Sequence, residues 1–388
     1  MMELSNELKD FIQQNLHKNS KDLAFQKNPF PNYDWKWILN QIQSKQKAEK
    51  KLPTWFNNSE VIFPSTLSVE QTSSEILAKY KASLVSGDSI IDLTGGFGVD
   101  CYYFSSNFKN VTHCEFQEDL SKIVTHNFKI LGKNNITTIF GNSIEYLETT
   151  NEVFDWIYLD PARRDDSKGK VFLLKDCTPN VVELKDFLFS KSNKILIKVA
   201  PLLDISSILS ELDQVKTIYA ISLHNEVKEL LIELEKGYNE QVSLIATNIS
   251  NTNVIFSDQF NLEDDTFCSI TKPKKYIYEP YSSFMKVGQY NAIANKYNVS
   301  KLNKHSHLYT SDELIDFPGR SFEIFETLNY NKKDLKSFEG KKANITTRNF
   351  PMKVDEIRKK HKIKDGGDTY LFFTTDVDNN KIVLVTKK

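Results

Sequence analysis

Apolar residues near the N-terminus recur at helical spacing, first at Leu4, Leu8, Phe11, Ile12 and Leu16 and again at Trp35, Ile38, Leu39 and Ile42, with Pro29 and Pro31 between the two runs. That period predicts two amphipathic helices separated by a proline-marked break. After the connector KLPTWFNNSEVIFPSTLS, the stretch EQTSSEILAKYKASLV sets Ser and Thr ahead of Glu75 and apolar residues at Ile76, Leu77, Tyr80 and Leu84, a helix with its N-terminal signal. From Ser89 the pattern becomes short continuous apolar runs alternating with helices: SIIDL then GVDCYYFSSN, VTHCEF then EDLSKIVTHNFKIL, NITTIF then SIEYLE, FDWIYLD then VVELKDFLFS, and KILIKV then ISSILSEL. Continuous apolar strands alternating with helices predict a doubly wound α/β domain whose parallel sheet is covered on both faces. KTIYAISL, VKELLIELE and QVSLIATNI follow with connectors too short for crossover helices, so antiparallel pairing is expected there.

Past Asn251 the chain turns Lys-, Asn- and Tyr-rich, with a helical stretch at SSFMKVGQYNAIANKY and two final strands, DTYLFFTT and KIVLVTKK, flanking a DVDNN hairpin loop. The boundaries that result are an N-terminal helical segment over 1–60, the α/β domain over 61–250, and a small C-terminal α/β region from 272 that divides into 272–316 and 317–388. The chain has 388 residues, 40% of them hydrophobic and 12% aromatic, which is enough to bury a core and excludes wholesale disorder. The net charge of -1 conceals +9 over residues 271–388 against -10 before them, an imbalance that fits either a nucleic-acid-binding appendage or a solvated Lys-rich surface. Cys101, Cys114, Cys177 and Cys268 have no paired CxxC spacing, so neither a disulfide framework nor a metal site is expected, and a reducing cytoplasm fits. No apolar run approaches a membrane span and MMELSNELKDFIQQ lacks a signal-peptide layout, so no membrane partner is expected.

The candidate chemistry begins at IIDLTGGFGVD, residues 90–100, where a buried strand ends in Asp92 and breaks into a glycine loop before a helix. Glycines let a ligand approach the backbone closely. A dinucleotide fingerprint needs a third glycine where Cys101 stands, which weakens a nicotinamide-dependent oxidoreductase reading. Glu115 closes the next strand, placed to accept two ribose hydroxyls. Asn142 follows the third strand with two readings open, an adenine contact or turn chemistry. The fourth strand ends in Asp160-Pro161-Ala162-Arg163-Arg164, where Pro161 holds Asp160 extended and the two arginines suit either phosphate contacts or an ion pair with the following acids.

These motifs, with KLPTW, LSVEQTSSE, LIKVAP, YEPYSSFMK, HLYTSD, FPGRSF, TTRNFP and GGDTYLF, resemble class I S-adenosylmethionine-dependent methyltransferases, and within them the bacterial RNA-methyltransferase-like proteins with a C-terminal THUMP-like domain. The resemblance implies a Rossmann-like methyltransferase sheet with antiparallel terminal strands, an N-terminal helical segment and a small C-terminal region, ferredoxin-like and then THUMP-like. It implies S-adenosylmethionine as cofactor: Asp92, Thr94, Gly96 and Gly98 at its methionine end, Glu115 at the ribose, Asn142 at the adenine, and Gln71 and Ser73 in an N-terminal element folded over it. Asp160 and Pro161 fall at the reaction centre. Ala162 and Arg163 stand where amino-group methyltransferases carry a second proline and an aromatic residue, which leaves the acceptor atom open. C5-uridine enzymes need a Cys after the fifth strand, and KILIKVAPLLD has none. The expected activity is methylation of a base nitrogen in tRNA or rRNA, with Arg163, Arg164, Arg348, Arg358, Lys359 and Lys360 contacting the RNA, the last four gathered with Lys341, Lys342, Lys362 and Lys364 onto one face beside Tyr370 and Phe372. The alternative is a nucleic-acid-binding protein that keeps the fold without turnover.

Overall fold

The computed structural model describes residues 4–163, 173–251, 253–264 and 266–388. They form two compact units, Met1–Val215 with Leu231–Asn239 and Lys216–Leu230 with Glu240–Lys388. Among the described residues no helix is long and apolar enough to cross a membrane.

In the first unit the N-terminal helices Asn6–Gln14 and Trp35–Lys51 start where Ser5 and Asp34 accept the Leu8 and Lys36 amides at 3.3 and 3.1 Å. Their apolar stripes meet in one cluster with Leu8, Ile12, Ile38, Ile42 and Ile62. Part of the connector that follows is pinned and buried. The Gln41 amide bonds both backbone groups of Phe63, at 2.8 and 2.7 Å, and the Asn127 amide does the same for Ile62, at 3.0 and 2.8 Å. Two side-chain amides thus replace a neighbouring strand, so this extended backbone is satisfied without a sheet.

The strands of this unit are β1 (Gly87–Asp92), β2 (Phe108–Glu115), β3 (Ile136–Phe140), β4 (Trp156–Leu159), the two-residue pair β5 (Ala162–Arg163) and β6 (Cys177–Thr178), and β7 (Lys194–Val199). The main ones lie in the order β7-β4-β1-β2-β3, all parallel, with helices at Val99–Phe104, Glu118–Ile130, Ser143–Thr149, Val181–Lys191 and Ile205–Glu211 between them. Strand order reverses between β1 and β4, which makes the crevice beyond their carboxyl ends the place where an open α/β sheet binds ligands.

β8 (Val215–Leu223) and β9 (Glu226–Glu235) are joined by His224 and Asn225, whose φ angles of 52° and 63° form the left-handed two-residue turn of an antiparallel hairpin. β10 (Ser243–Ser250) departs from the expected antiparallel pairing: it runs parallel to β8 and antiparallel to β11 (Asn253–Asn261). The reason is topological. β9 has already returned the chain to the starting end of β8, where Glu235 N donates to Gln214 O at 3.1 Å, so a parallel strand follows without a crossover helix.

The rest of the second unit is a seven-stranded sheet. Its strands are β12 (Tyr276–Pro280), β13 (Ser300–Lys301), β14 (Tyr309–Ser311), β15 (Gly319–Asn329), β16 (Asn344–Thr347), β17 (Tyr370–Thr375) and β18 (Lys381–Lys387), in the order β13-β14-β12-β15-β18-β17-β16. The sheet is apolar on both faces. Phe322, Phe372 and Leu384 lie in one cluster, and Leu371, Phe373 and Val383 in another with Ile357 of the helix Val354–His361 that links β16 to its parallel neighbour β17. The DVDNN loop closes as expected, with Asp376 accepting the amides of Asp378 and Asn380 at 3.0 and 2.8 Å. The stretch read as one helix over SSFMKVGQYNAIANKY is two, Ser282–Val287 and Tyr290–Lys296, because Gly288 adopts φ of 76° and ends the first.

Candidate active site

The glycine loop leaves β1 at Asp92. Gly96 lies at φ 53°, and a side chain added there would meet nothing closer than the Thr94 carbonyl at 3.8 Å, so the space over its backbone is open. Gly98, at φ 77°, is a glycine for packing: a Cβ there would lie 2.5 Å from the Phe128 ring. Glu115 at the end of β2 accepts from Gly96 N at 3.1 Å and Gln117 N at 2.7 Å, tying the loop to the second strand. Burial raises its carboxyl, and those backbone amides oppose the shift. His113 supports the loop from below. It is fully buried, burial pushes its imidazole down to about 4, and the neutral ring lies with Nε2 3.3 Å from the Gly96 carbonyl.

Asp92 is enclosed, with Thr94 N at 2.9 Å on one oxygen and the Cys101 thiol at 3.3 Å on the other. Burial, reinforced by the charges of Asp100 and Asp160, pushes its carboxyl up to about 7. At the end of β4, Asp160 N donates to Thr94 Oγ1 at 2.6 Å and the Asp160 carboxylate pairs with Lys198 of β7. The loop after β1 and the strand ends of β4 and β7 therefore converge on one point. Pro161 is buried beside it.

Below this point lies a polar network. Lys81, fully buried on the helix Glu75–Ser83, bonds Ser73 Oγ at 2.7 Å and faces Asp100 Oδ1 at 3.1 Å, while the Tyr158 hydroxyl donates to Asp100 Oδ2 at 2.8 Å. Burial alone would raise the Asp100 carboxyl, but Lys81, Lys198 and the Tyr158 hydroxyl hold it below the ordinary carboxylate range. No sequence motif gives Lys81, Asp100, Tyr158 or Lys198 a role. The signal was present: Lys198 interrupts the continuous apolar run KILIKVAP, and Lys81 shares a helix face with Leu77 and Ala78, where only a paired cation is tolerated.

The other expected residues are more scattered. Ser73 is part of the network, whereas Gln71 ends the helix Thr66–Gln71 with an exposed side chain. Asn142 caps the helix Ser143–Thr149, accepting Ile144 N at 3.0 Å and donating to Glu145 at 2.9 Å, which is the turn-chemistry reading. Arg163 is exposed on β5, opposite the buried Cys177 of β6, and Arg164 lies outside the described residues.

Compared with solved structures, the chain aligns over 100% of its length with 100% of a protein of Porphyromonas gingivalis W83 named "putative methyltransferase", at 28% identity and a TM-score of 0.89. Residues 276–318 match a ferredoxin-like domain model and 319–388 a THUMP domain-like model. This is a methyltransferase fold with a THUMP-like C-terminus. Looser matches include an rRNA methylase from Streptococcus thermophilus, at 17% identity over 42% of this chain and 94% of that one with a TM-score of 0.31. Another is M. capricolum TrmK in complex with S-adenosyl-homocysteine, at 15% identity over 46% and 70% with a TM-score of 0.33. A search of curated proteins found no match.

In the THUMP-like domain the expected cations do not gather on one face. Arg348 is committed to the buried Glu279 at 2.7 Å, which Arg320 also binds, and Arg358 bonds the Ala343 carbonyl at 3.1 Å and pairs with Asp365. Lys360 reaches the Tyr330 hydroxyl at 3.0 Å, and Lys359 is exposed. Tyr370 and Phe372 lie with Phe322 on the opposite sheet face from this helix, because alternate residues of β17 point to opposite faces and it is Leu371 and Phe373 that meet Ile357. The denser positive surface is elsewhere: Lys332, Lys333, Lys336, Lys360 and Lys362 line a cleft of about 650 Å³ with Glu339 as the one acid among its lining residues.

Proposed function

We propose that this chain transfers the methyl group of S-adenosylmethionine to a base nitrogen in structured RNA, tRNA or rRNA, and that the THUMP-like domain aids RNA binding. The observation that carries this is the convergence of the open Gly96 backbone, Thr94 and the Asp160–Lys198 pair at the switch point of the sheet. The residues fit the cofactor: unblocked space over Gly96, a carboxylate on each of the two strand ends, and a buried Asp92 whose raised carboxyl a neighbouring ammonium would stabilise as the anion. Asp92, Thr94 and Gly96 take the methionine end and Glu115 the ribose hydroxyls, while Gly98 lets the loop pack on Phe128, Ser73 braces Lys81 from the N-terminal segment, and Asn142 is kept as the cap of its helix.

When bound, the cofactor supplies a methyl carbon activated by its sulfonium, so the protein's work is alignment. Asp160 is held at its amide by Thr94 and at its carboxylate by Lys198, and it is 36% exposed, so a carboxylate oxygen is free to accept the N–H of an incoming base and fix its lone pair. Pro161 keeps this strand end from coiling into a helix. Arg163, exposed on β5, meets phosphate near the reaction edge, and RNA contact is assigned to Arg164 from its place in the sequence alone. On the THUMP-like domain the exposed lysines, Lys332, Lys333, Lys336, Lys359 and Lys360, contact phosphates, whereas Arg348 and Arg358 are held by their carboxylates. The test is incubation with labelled S-adenosylmethionine and total RNA from the source organism, followed by digestion to nucleosides. An N-methylated base is expected; label confined to carbon, or to protein, refutes the acceptor assignment.

A further inference from the structure

A cleft of about 530 Å³ opens within the second unit, where the ends of β8, β10 and β12 meet the start of β15, and none of its lining residues belongs to the glycine-loop site. The motifs YEPYSSFMK and FPGRSF, which methyl transfer leaves without a part, supply Tyr281, Arg320 and Ser321 to its wall. A Cβ at Gly319 would collide with the Glu279 carbonyl, so this glycine lets β15 run close against β12 and sets Arg320 opposite Glu279. The buried Glu279 carboxylate then holds two cations. Arg320 Nε bonds Oε2 at 2.9 Å with Nη2 on the same oxygen, and Arg348 Nη2 bonds Oε1 at 2.7 Å. One carboxylate between two guanidinium groups leaves a positive charge over, and Arg320 Nη1 has no partner among the described residues.

Asn248, at the end of β10, is 4% exposed. Its Oδ1 accepts Asn225 N at 3.2 Å, which fixes the way the amide faces, and its NH₂ has no acceptor among the described residues although the side chain lines the cleft. Burial, and after it the charge of Asp316, raises the Tyr281 hydroxyl, which therefore stays a donor; Asp316 itself is exposed and outside the wall. No Asp or Glu is among the lining residues. The uncommitted groups are thus a guanidinium end, an amide NH₂ and the Tyr281 and Ser321 hydroxyls, a set that suits an anion with several acceptor oxygens. The cleft is far larger than such an ion, and the Tyr281 ring and the half-exposed Ile255 offer apolar surface for a flat body behind it. We propose that this cleft binds a nucleotide through its phosphate, with phosphate oxygens on Arg320 and Asn248 and the sugar and base along Tyr281 and Ile255. A free nucleotide and one residue of an RNA strand present the same chemistry, and the test separates them.

The test is calorimetry on the full-length chain with uridine 5′-monophosphate as the free nucleotide, the trinucleotide UpUpU as the strand, and uridine as the control without phosphate. At least one of the two phosphate-bearing probes is expected to bind about tenfold or more tighter than uridine, and the tighter of the two names the source. Ser321→Asp sets a carboxylate on the wall without touching Glu279 and should weaken that binding by about tenfold, and Arg320→Met should do the same. If Arg320→Met does not fold, footprinting the wild-type protein decides: modification of Arg320 by phenylglyoxal, followed by mass spectrometry, should slow several-fold with the tighter probe and not with uridine. Absence of binding by both probes, uridine binding as tightly, unchanged affinity in Ser321→Asp, or an unprotected Arg320 would each overturn the assignment.

Discussion

Replacing Lys81 by Met removes a cation with no exposed side-chain surface and leaves Asp100, 12% exposed, without the ammonium that faces it at 3.1 Å. Met keeps the length and the apolar stem, so the change is mainly one of charge. Removing one partner of a buried ion pair costs about 3 to 5 kcal/mol, and the lower end applies here because the Tyr158 hydroxyl still donates to Asp100 at 2.8 Å. The expected loss is therefore about 3 kcal/mol in urea denaturation near neutral pH. The pH dependence has a defined sign. Asp100 is held below its unfolded value of 3.8, so its contribution is present above that value and is lost as pH falls through the folded one. In Lys81→Met the burial that raises this carboxyl loses its main opponent. The gap between wild type and variant should then be full near neutrality and shrink below about pH 4. Adding Asp100→Leu to Lys81→Met should restore much of the loss, since an apolar pair no longer strands a charge. A cost under about 1 kcal/mol at neutral pH, or an equal cost at acid pH, would refute the reasoning.

Three further outcomes are expected. Glu115→Gln puts an amide NH₂ against the backbone N–H of Gly96 or Gln117, so S-adenosylmethionine affinity by calorimetry should fall by about 1.5 to 3 kcal/mol, and an unchanged affinity would place the ribose elsewhere. Lys198→Met and Asp160→Ala should each collapse turnover on RNA while leaving cofactor affinity within a few-fold; lost binding with normal turnover would reverse the assignment. Asp92 has its folded value raised from 3.8 to about 7, so its ionisation opposes folding increasingly as pH rises across that window, and thermal stability of Asp92→Asn should gain on wild type between those values, which parallel melting curves would check.

The local pattern was enough for the parallel strands of the first unit and the helices between them, but not for the short helices Pro53–Phe56 and Thr66–Gln71, which fall in or at the end of the stretch read as a connector. Continuous apolar runs such as KILIKV and SIIDL are too short for a core helix and are flanked by turn residues, which makes them strands buried on both faces, and the cap Ser74 announces its helix. The glycine loop and the two acids that end β1 and β2 were legible for the same reason, since each lies within a few residues of the element that presents it. What the sequence could not order is what depends on distant segments meeting. Lys198 and Asp160 are 38 positions apart, and Tyr158 and Asp100 are 58 apart. Their pairing follows from β7 and β1 flanking β4, which periodicity does not encode. The same limit explains the C-terminal cations. Charge counting located the positive excess, but whether an arginine is spent on a carboxylate depends on which acid the fold brings beside it: Glu279 stands 69 positions from Arg348. The parallel placement of β10 likewise follows from β9 having returned the chain to the start of β8. Sequence determined the elements and the chemical groups at their ends; tertiary structure decided which charges neutralise one another, because burial makes an unpaired charge costly and only the packed fold supplies the partner.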